Sequence, residues 1–329
     1  MSQIQKFLFD GIPVRGVAVR LTDAWQEVVQ RRAANTQSGP YPASVNHLLG
    51  EMTAAAMLMQ SNIKFNGALI LQVQGDGPVK VAVAEVQPSL GLRATASIVG
   101  EVAEDAGMTE LVNLHGQGQC AITLDPRDRL PGQQPYQGVV PLKDSTGQPF
   151  ARVADMLRHY MRQSEQLDTT LVLAANEQVA AGLLIQRLPL EGEANLAGST
   201  AAPSDEARAE ADESYNHIAT LAQSLKEEEL LELDLDTILH RLFWNEKLLR
   251  FVPAETDPVP HFACTCSQQR VANMVRTLGQ EEAESILEDH GEIEVGCEFC
   301  GQQYHFDKVE VAQLFTSAAQ QPPASDKLQ

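Results

Sequence analysis

Four cysteines stand in two close pairs late in the chain, Cys264 and Cys266 in "HFACTCSQQR" and Cys297 and Cys300 in "GCEFCGQQYH". Thiolate sulfur is a metal ligand, and zinc takes four thiolates tetrahedrally at about 2.3 Å. A C-x-C and a C-x-x-C supply such a shell once a fold brings them together. Gly301, directly after the second pair, predicts a turn between two strands in which backbone amides can face the sulfurs. Between the pairs, "QQRVANMVRTLG" and "EEAESILEDHG" read as two short helices. Zn2+ held by Cys264, Cys266, Cys297 and Cys300 is therefore the expected cofactor.

Such a site is open to oxidation. Thiolates are the species that oxidants attack, so a thiolate-only shell is vulnerable where a histidine shell resists. A disulfide between residues i and i+2 closes a small, strained ring, yet a C-x-C pair can still exchange its role as ligand for one as disulfide. Loss of the metal removes folding free energy on the order of 10 kcal/mol, enough to unfold a unit of about 50 residues.

The other chemistry-bearing residues read more plainly. His261, His290 and His305 share the cysteine segment, but four sulfurs already fill a tetrahedron, so solvent-facing or packing roles are expected. Cys120, inside the strand pattern "QCAITLD", reads as a small buried apolar residue. Gly75-Asp76-Gly77 precedes Pro78, which lacks the amide a phosphate would need, and is expected to be a turn. Ser164 and Glu165 make no nucleophile motif. No catalytic constellation is found, and the chain is not expected to be an enzyme.

Composition narrows the partners. A formal charge of -20 over 329 residues opposes nucleic acid and anionic lipid, which bind through clustered Lys and Arg. A zinc-ribbon nucleic-acid-binding protein is the alternative reading of the paired cysteines, and the same charge argues against it. No apolar run approaches the ~20 residues of a membrane helix, and the N-terminus has no cleavable signal pattern. With its cysteines clustered rather than spread as a disulfide framework, the chain reads as cytoplasmic.

The elements that must position the cysteines follow from periodicity. Thr22 is expected to cap a helix "DAWQEVVQRRAA", and a second helix is expected from Pro42 to Gln60 on the spacing of Val45, Leu48, Leu49, Met52 and Met59. Alternation on both sides of Gly75–Pro78 predicts a β-hairpin. Strands follow at "LRATASIVG", "QCAITLD" and "YQGVVPL", then a helix "FARVADMLRHYMRQ", then strands "TTLVLAAN" and "VAAGLLIQRLP". The fold class expected is α+β: an N-terminal mixed α/β core with a largely antiparallel sheet, a helical linker and a small C-terminal zinc-binding α/β domain. The boundaries expected are a core at 1–188, an acidic flexible stretch with an amphipathic helical linker at 189–258, a zinc-binding domain at 259–312 and a disordered tail at 313–329. The Ala- and Glu-rich stretch opening at Glu191 has almost no large apolar residue, hence the expectation of flexibility. From Tyr215 onward, Ile218, Leu221 and Leu225, then Ile238, Leu239, Leu242 and Phe243, recur at helical spacing and need an apolar surface to cover.

These residues resemble the heat shock protein 33 family. The likeness is carried by "CTCS" and "DHGEIEVGCEFCGQQYHF", and by "VRG" (14–16), "QVQGDGP" (72–78), "YQGVV" (136–140) and "SEQL" (164–167), in the family's order over most of the chain. The stretch 191–213 looks longer than the linker the family usually carries. The resemblance implies a redox-regulated, ATP-independent holdase chaperone. Its reduced form would hold zinc on the four cysteines with the linker packed over the core. Oxidation would form disulfides Cys264–Cys266 and Cys297–Cys300, release zinc and unfold the linker. The protein would then dimerise and hold unfolded or partly unfolded client proteins through a core used for client binding and dimerisation.

Overall fold

The computed structural model describes residues 1–35, 39–128, 132–189 and 204–316. Its first two strands, β1 (Gln3–Phe9) and β2 (Ile12–Leu21), are not among the expected elements. In β2, Val17, Val19 and Leu21 face one apolar cluster while Val14 and Ala18 face another. With both faces covered, the apolar residues run nearly continuously and hide the period of two.

Helix α1 (Asp23–Ala33) follows. Thr22 does not cap it: its hydroxyl lies 3.2 Å from the neighbouring Asp23 carboxylate, which also accepts from the Ser2 hydroxyl at 2.6 Å and from the Ser2 amide. Helix α2 (Ala43–Asn62) is buried on almost every side, from Ser44 to Gln60. At Gly50 it comes so close to its neighbours that a Cβ would lie 2.4 Å from that of Ala175.

Two antiparallel sheets sandwich α2. In one, β2 lies at the centre between β1 and β9 (Ala180–Arg187), and β8 (Thr169–Ala175) forms an edge beyond β9. The other contains β3 (Gly67–Gln74), β4 (Val79–Val86), β5 (Gly91–Ile98), β6 (Gln119–Pro126) and β7 (Tyr136–Pro141), in the order β5-β4-β3-β6-β7. The hairpin at Gly75–Pro78 joins β3 to β4 as expected. Helix α3 (Met108–Val112) and helix α4 (Val153–Ser164) complete this part.

Three more helices cover the outer face of the first sheet: α5 (Asp205–Gln223), α6 (Glu227–Glu232) and α7 (Leu235–Phe243). Ile218, Leu230, Ile238, Leu239 and Phe243 pack on Phe7, Phe9, Val14, Leu183 and Ile185. The rings of Phe9 and Phe243 meet edge to face at 5.1 Å. Helix α5 starts within the stretch expected to be flexible. Ser204 caps it, its hydroxyl oxygen accepting from the Ala207 amide at 3.2 Å, and good helix formers such as Ala, Glu and Arg carry the first turns to where Ala211 and Tyr215 are buried. The earlier part of that stretch, 191–203, lies outside the described residues. After α7 the chain adds β10 (Leu248–Arg250) beside β1, then β11 (His261–Phe262) parallel to β5.

The chain divides into two compact units, Met1–Ala263 and a second from Cys264 onward, so the linker helices belong to the first. The second contains α8 (Gln268–Leu278), α9 (Gln280–His290), a hairpin of β12 (Ile293–Gly296) and β13 (Gln303–Phe306), and α10 (Lys308–Phe315). The last helix covers 313–315, where a disordered tail was expected to begin, because Asp307 and Glu310 form a capping box. Residues 317–329 lie outside the described set. Among the described residues, the buried apolar core of this unit is seven residues, Ala272, Val275, Ala283, Leu287, Ile293, Phe306 and Val311. No helix among the described residues is long and apolar enough to cross a membrane.

Candidate metal centre

Cys264 and Cys266 lie in the extended segment before α8, whose first turn is capped by the Ser267 hydroxyl accepting from the Arg270 amide. Cys297 and Cys300 occupy the turn between β12 and β13. That turn closes where the Cys297 amide donates to the Gln302 carbonyl at 2.9 Å and the Gly301 amide to the Cys297 carbonyl at 2.8 Å. Gly301 has φ +74°, the left-handed region that favours glycine. Amides of Phe299 and Cys300 face the Cys297 sulfur, and that of Gln302 faces Cys300.

All four sulfurs lie within 4.8 Å of one another. Cys264 and Cys297 are 3.6 Å apart, Cys266 and Cys300 3.3 Å. A tetrahedron with metal–sulfur bonds of about 2.3 Å has sulfur–sulfur edges of about 3.8 Å. The cluster is thus the size of one tetrahedral thiolate shell. Burial, with neighbouring sulfurs, pushes the Cys300 thiol well above its ordinary value and raises that of Cys297. Four thiolates this close together repel one another, and a bound divalent cation compensates their charge. The donor set therefore fits a metal ion.

One contact was not anticipated from spacing. Tyr304, on β13, donates its hydroxyl to the Cys266 sulfur at 3.1 Å. Period-two alternation after the turn would be the only signal for it.

The histidines stay outside the sulfur cluster. His261 lies on β11 in the first unit, its Nδ1 2.9 Å from the Val259 carbonyl. His290 ends α9, and His305 faces Glu292 at 3.6 Å. Cys120 is fully buried among core residues, its thiol pushed up to about 12 by burial.

The model of the family described as "Hsp33 protein" matches residues 2–307. The chain belongs to the Hsp33 family. It is 43% identical to the 33 kDa chaperonin of Chromobacterium violaceum over 95% of its own length and 94% of that protein. With the 33 kDa chaperonin of Shewanella woodyi the identity is 38%, covering 96% of each. Among solved structures, the fold is similar to an Hsp33 homologue from Thermotoga maritima, with a TM-score of 0.69 at 19% identity over 94% of this chain and 97% of that one. The Hsp33 family is a chaperone family, so the sulfur cluster belongs to a chaperone fold.

Proposed function

We propose that this Hsp33-family chain is an ATP-independent holdase, silent while Cys264, Cys266, Cys297 and Cys300 hold zinc and active once these residues are oxidised. The convergence of four sulfurs on one metal-sized volume carries the reading. Bound zinc supplies the charge that keeps four thiolates together and ties down a unit whose own core is seven residues. Oxidation removes the donors. One thiolate attacks peroxide, breaking the O–O bond and becoming a sulfenic acid; its partner thiolate then displaces the oxygen to form the disulfide. Two thiolates, one peroxide and two protons give one disulfide and two waters.

Cys264–Cys266 and Cys297–Cys300 are the proposed disulfides. Cross-pair bonds join residues 33 or 34 positions apart and need the folded unit to hold them together, whereas partners two or three residues apart stay close after it opens.

Support for the second half of the scheme comes from α5, α6 and α7, which cover Phe7, Phe9, Leu183 and Ile185 of the first sheet. Lifting them would expose a continuous apolar face able to hold unfolded client chains and to pair two copies of the protein. A net charge of -20 would keep such an opened protein soluble, in the reducing setting of a cytoplasm.

The test measures zinc release and suppression of aggregation of a heat-unfolded client, before and after peroxide at mildly elevated temperature and without ATP. Suppression only after oxidation is expected; equal activity of the zinc-bound and oxidised forms overturns the switch.

A further inference from the structure

Three of the stretches quoted above serve no purpose in the metal centre: "VRG", "YQGVV" and "SEQL". In the fold they meet. Arg15 from the first, Tyr136 from the second and Glu165 from the third line one solvent-open cavity of ≈ 350 Å³, bounded by the end of α2, by α4 and by strands of both sheets. Its walls are otherwise largely apolar, including Leu69, Leu124, Met161 and Leu184. A cavity of this size and lining is at the small end of ligand sites, which run to about 300–1,000 Å³.

The polar groups of the cavity are unequally satisfied. Glu165 accepts from Tyr160 at 2.8 Å and from Tyr136 at 3.4 Å, so its charge is already solvated by hydroxyls. Arg15 meets only neutral acceptors, the side-chain oxygen of Gln186, reached by both Nε and an Nη, and the Asn62 carbonyl at 3.3 Å. Among the described residues no carboxylate lies within ion-pair distance of it. The guanidinium is held below its ordinary value by burial alone, and Lys6 on the neighbouring strand is lowered by burial and by Arg15. The carboxyl end of α2 contributes only about half an elementary negative charge against the full charge of the guanidinium. The cavity is therefore largely apolar, with an uncompensated cation on one wall.

We propose that this cavity is a binding site for a small monocarboxylate with an apolar tail, its carboxylate held by Arg15 and its tail by Leu69, Leu124 and Met161. A carboxylate suits Arg15 because the fork of the guanidinium can engage both its oxygens. The site belongs to the first unit and does not depend on the oxidation state of the cysteines.

Octanoate titrated calorimetrically into the reduced, zinc-loaded full chain tests the proposal, with 1-octanol as the uncharged comparison. One-to-one binding is expected, weaker for octanol. Arg15→Gln should weaken octanoate about tenfold or more and leave octanol nearly unchanged, because a charge-assisted pair is lost. Leu124→Trp should block both by filling the cavity, with Ile63→Phe as the second filling variant if the first does not fold. Spectra of methyl-labelled methionine should show Met59 and Met161 shifting with octanoate while Met274 in the other unit does not. Absence of saturable octanoate binding, equal affinity for octanol, or binding unchanged by Arg15→Gln and the filling variants would overturn the assignment.

Discussion

The sulfurs of Cys264 and Cys297 lie 3.6 Å apart across 33 positions of sequence, and those of Cys266 and Cys300 3.3 Å apart across 34, so the two pairs interleave. Each pair depends on the other for its place in the shell. Removing one sulfur should therefore release the whole centre rather than a quarter of it. With Cys297→Ser the zinc content of the reduced protein is expected to fall well below one per chain. Amide exchange should then lose protection in residues 268–315, since a seven-residue core cannot hold that unit alone. If the proposed coupling holds, protection of α5–α7 falls too. Full zinc occupancy with a protected linker contradicts both expectations.

Tyr304 offers a gentler perturbation. Its hydroxyl donates to the Cys266 sulfur, and the phenol is itself pushed up to about 12, chiefly by that hydrogen bond. Partners of this kind typically change metal affinity by about 10–100-fold. Tyr304→Phe should accordingly weaken zinc by about tenfold in competition with a chelator while leaving the fold intact, and should speed oxidation by peroxide because the sulfur loses a donor. Unchanged affinity and oxidation rate would show the contact to be incidental.

Phe243 anchors the linker helices: it is 2% exposed and touches the rings of both Phe7 and Phe9. Truncating a buried phenylalanine costs about 3–5 kcal/mol. Phe243→Ala should spend much of that on α5–α7, so the reduced, zinc-loaded variant is expected to bind a hydrophobic dye and to suppress client aggregation without oxidant. A variant that unfolds as a whole, with no separate loss of linker helix, would mean that the linker has no independent opening.

The clustering of the four sulfurs was legible because ligand type and spacing are local facts: C-x-C, C-x-x-C and the following Gly301 state it before any fold is known. The strands from β3 to β9 were legible by their period of two or their apolar runs, and α8 and α9 as two short helices between the cysteine pairs. What escaped depends on tertiary context. In β2 the two-sided burial of Val14, Val17, Ala18 and Val19 erases the alternation. The first turns of α5 expose Glu206, Arg208 and Glu210, which make up a composition equally suited to a flexible chain; Ser204 and the buried Ala211 and Tyr215 decide for a helix. Tyr304 joins the metal centre only because β13 folds back against β12.

His47 links α2 to the linker through charge. Its Nδ1 lies 2.8 Å from the Ala175 carbonyl and its Nε2 3.5 Å from the buried Glu51 carboxylate, and Glu51 first, then the Ala175 carbonyl and least of all Glu227 on α6, raise it to about 9 against the desolvation that opposes them. A histidine raised by folding contributes stability that is fully present below its ordinary value of about 6.5 and is lost as pH climbs through 9. Because 46% of the side chain is exposed, solvent screens the pair and the contribution is on the order of 1 kcal/mol. Thermal unfolding of the reduced, zinc-loaded chain should show a falling midpoint between pH 6.5 and 9, and His47→Gln should flatten that slope. In the same interval, neutralising His47 removes one of the charges facing Glu227, leaving it the partner Arg152 at 3.5 Å. Amide protection of α6 should therefore decline with rising pH in the wild type and hold level in the variant; parallel slopes in the two proteins would exclude His47 as the titrating group.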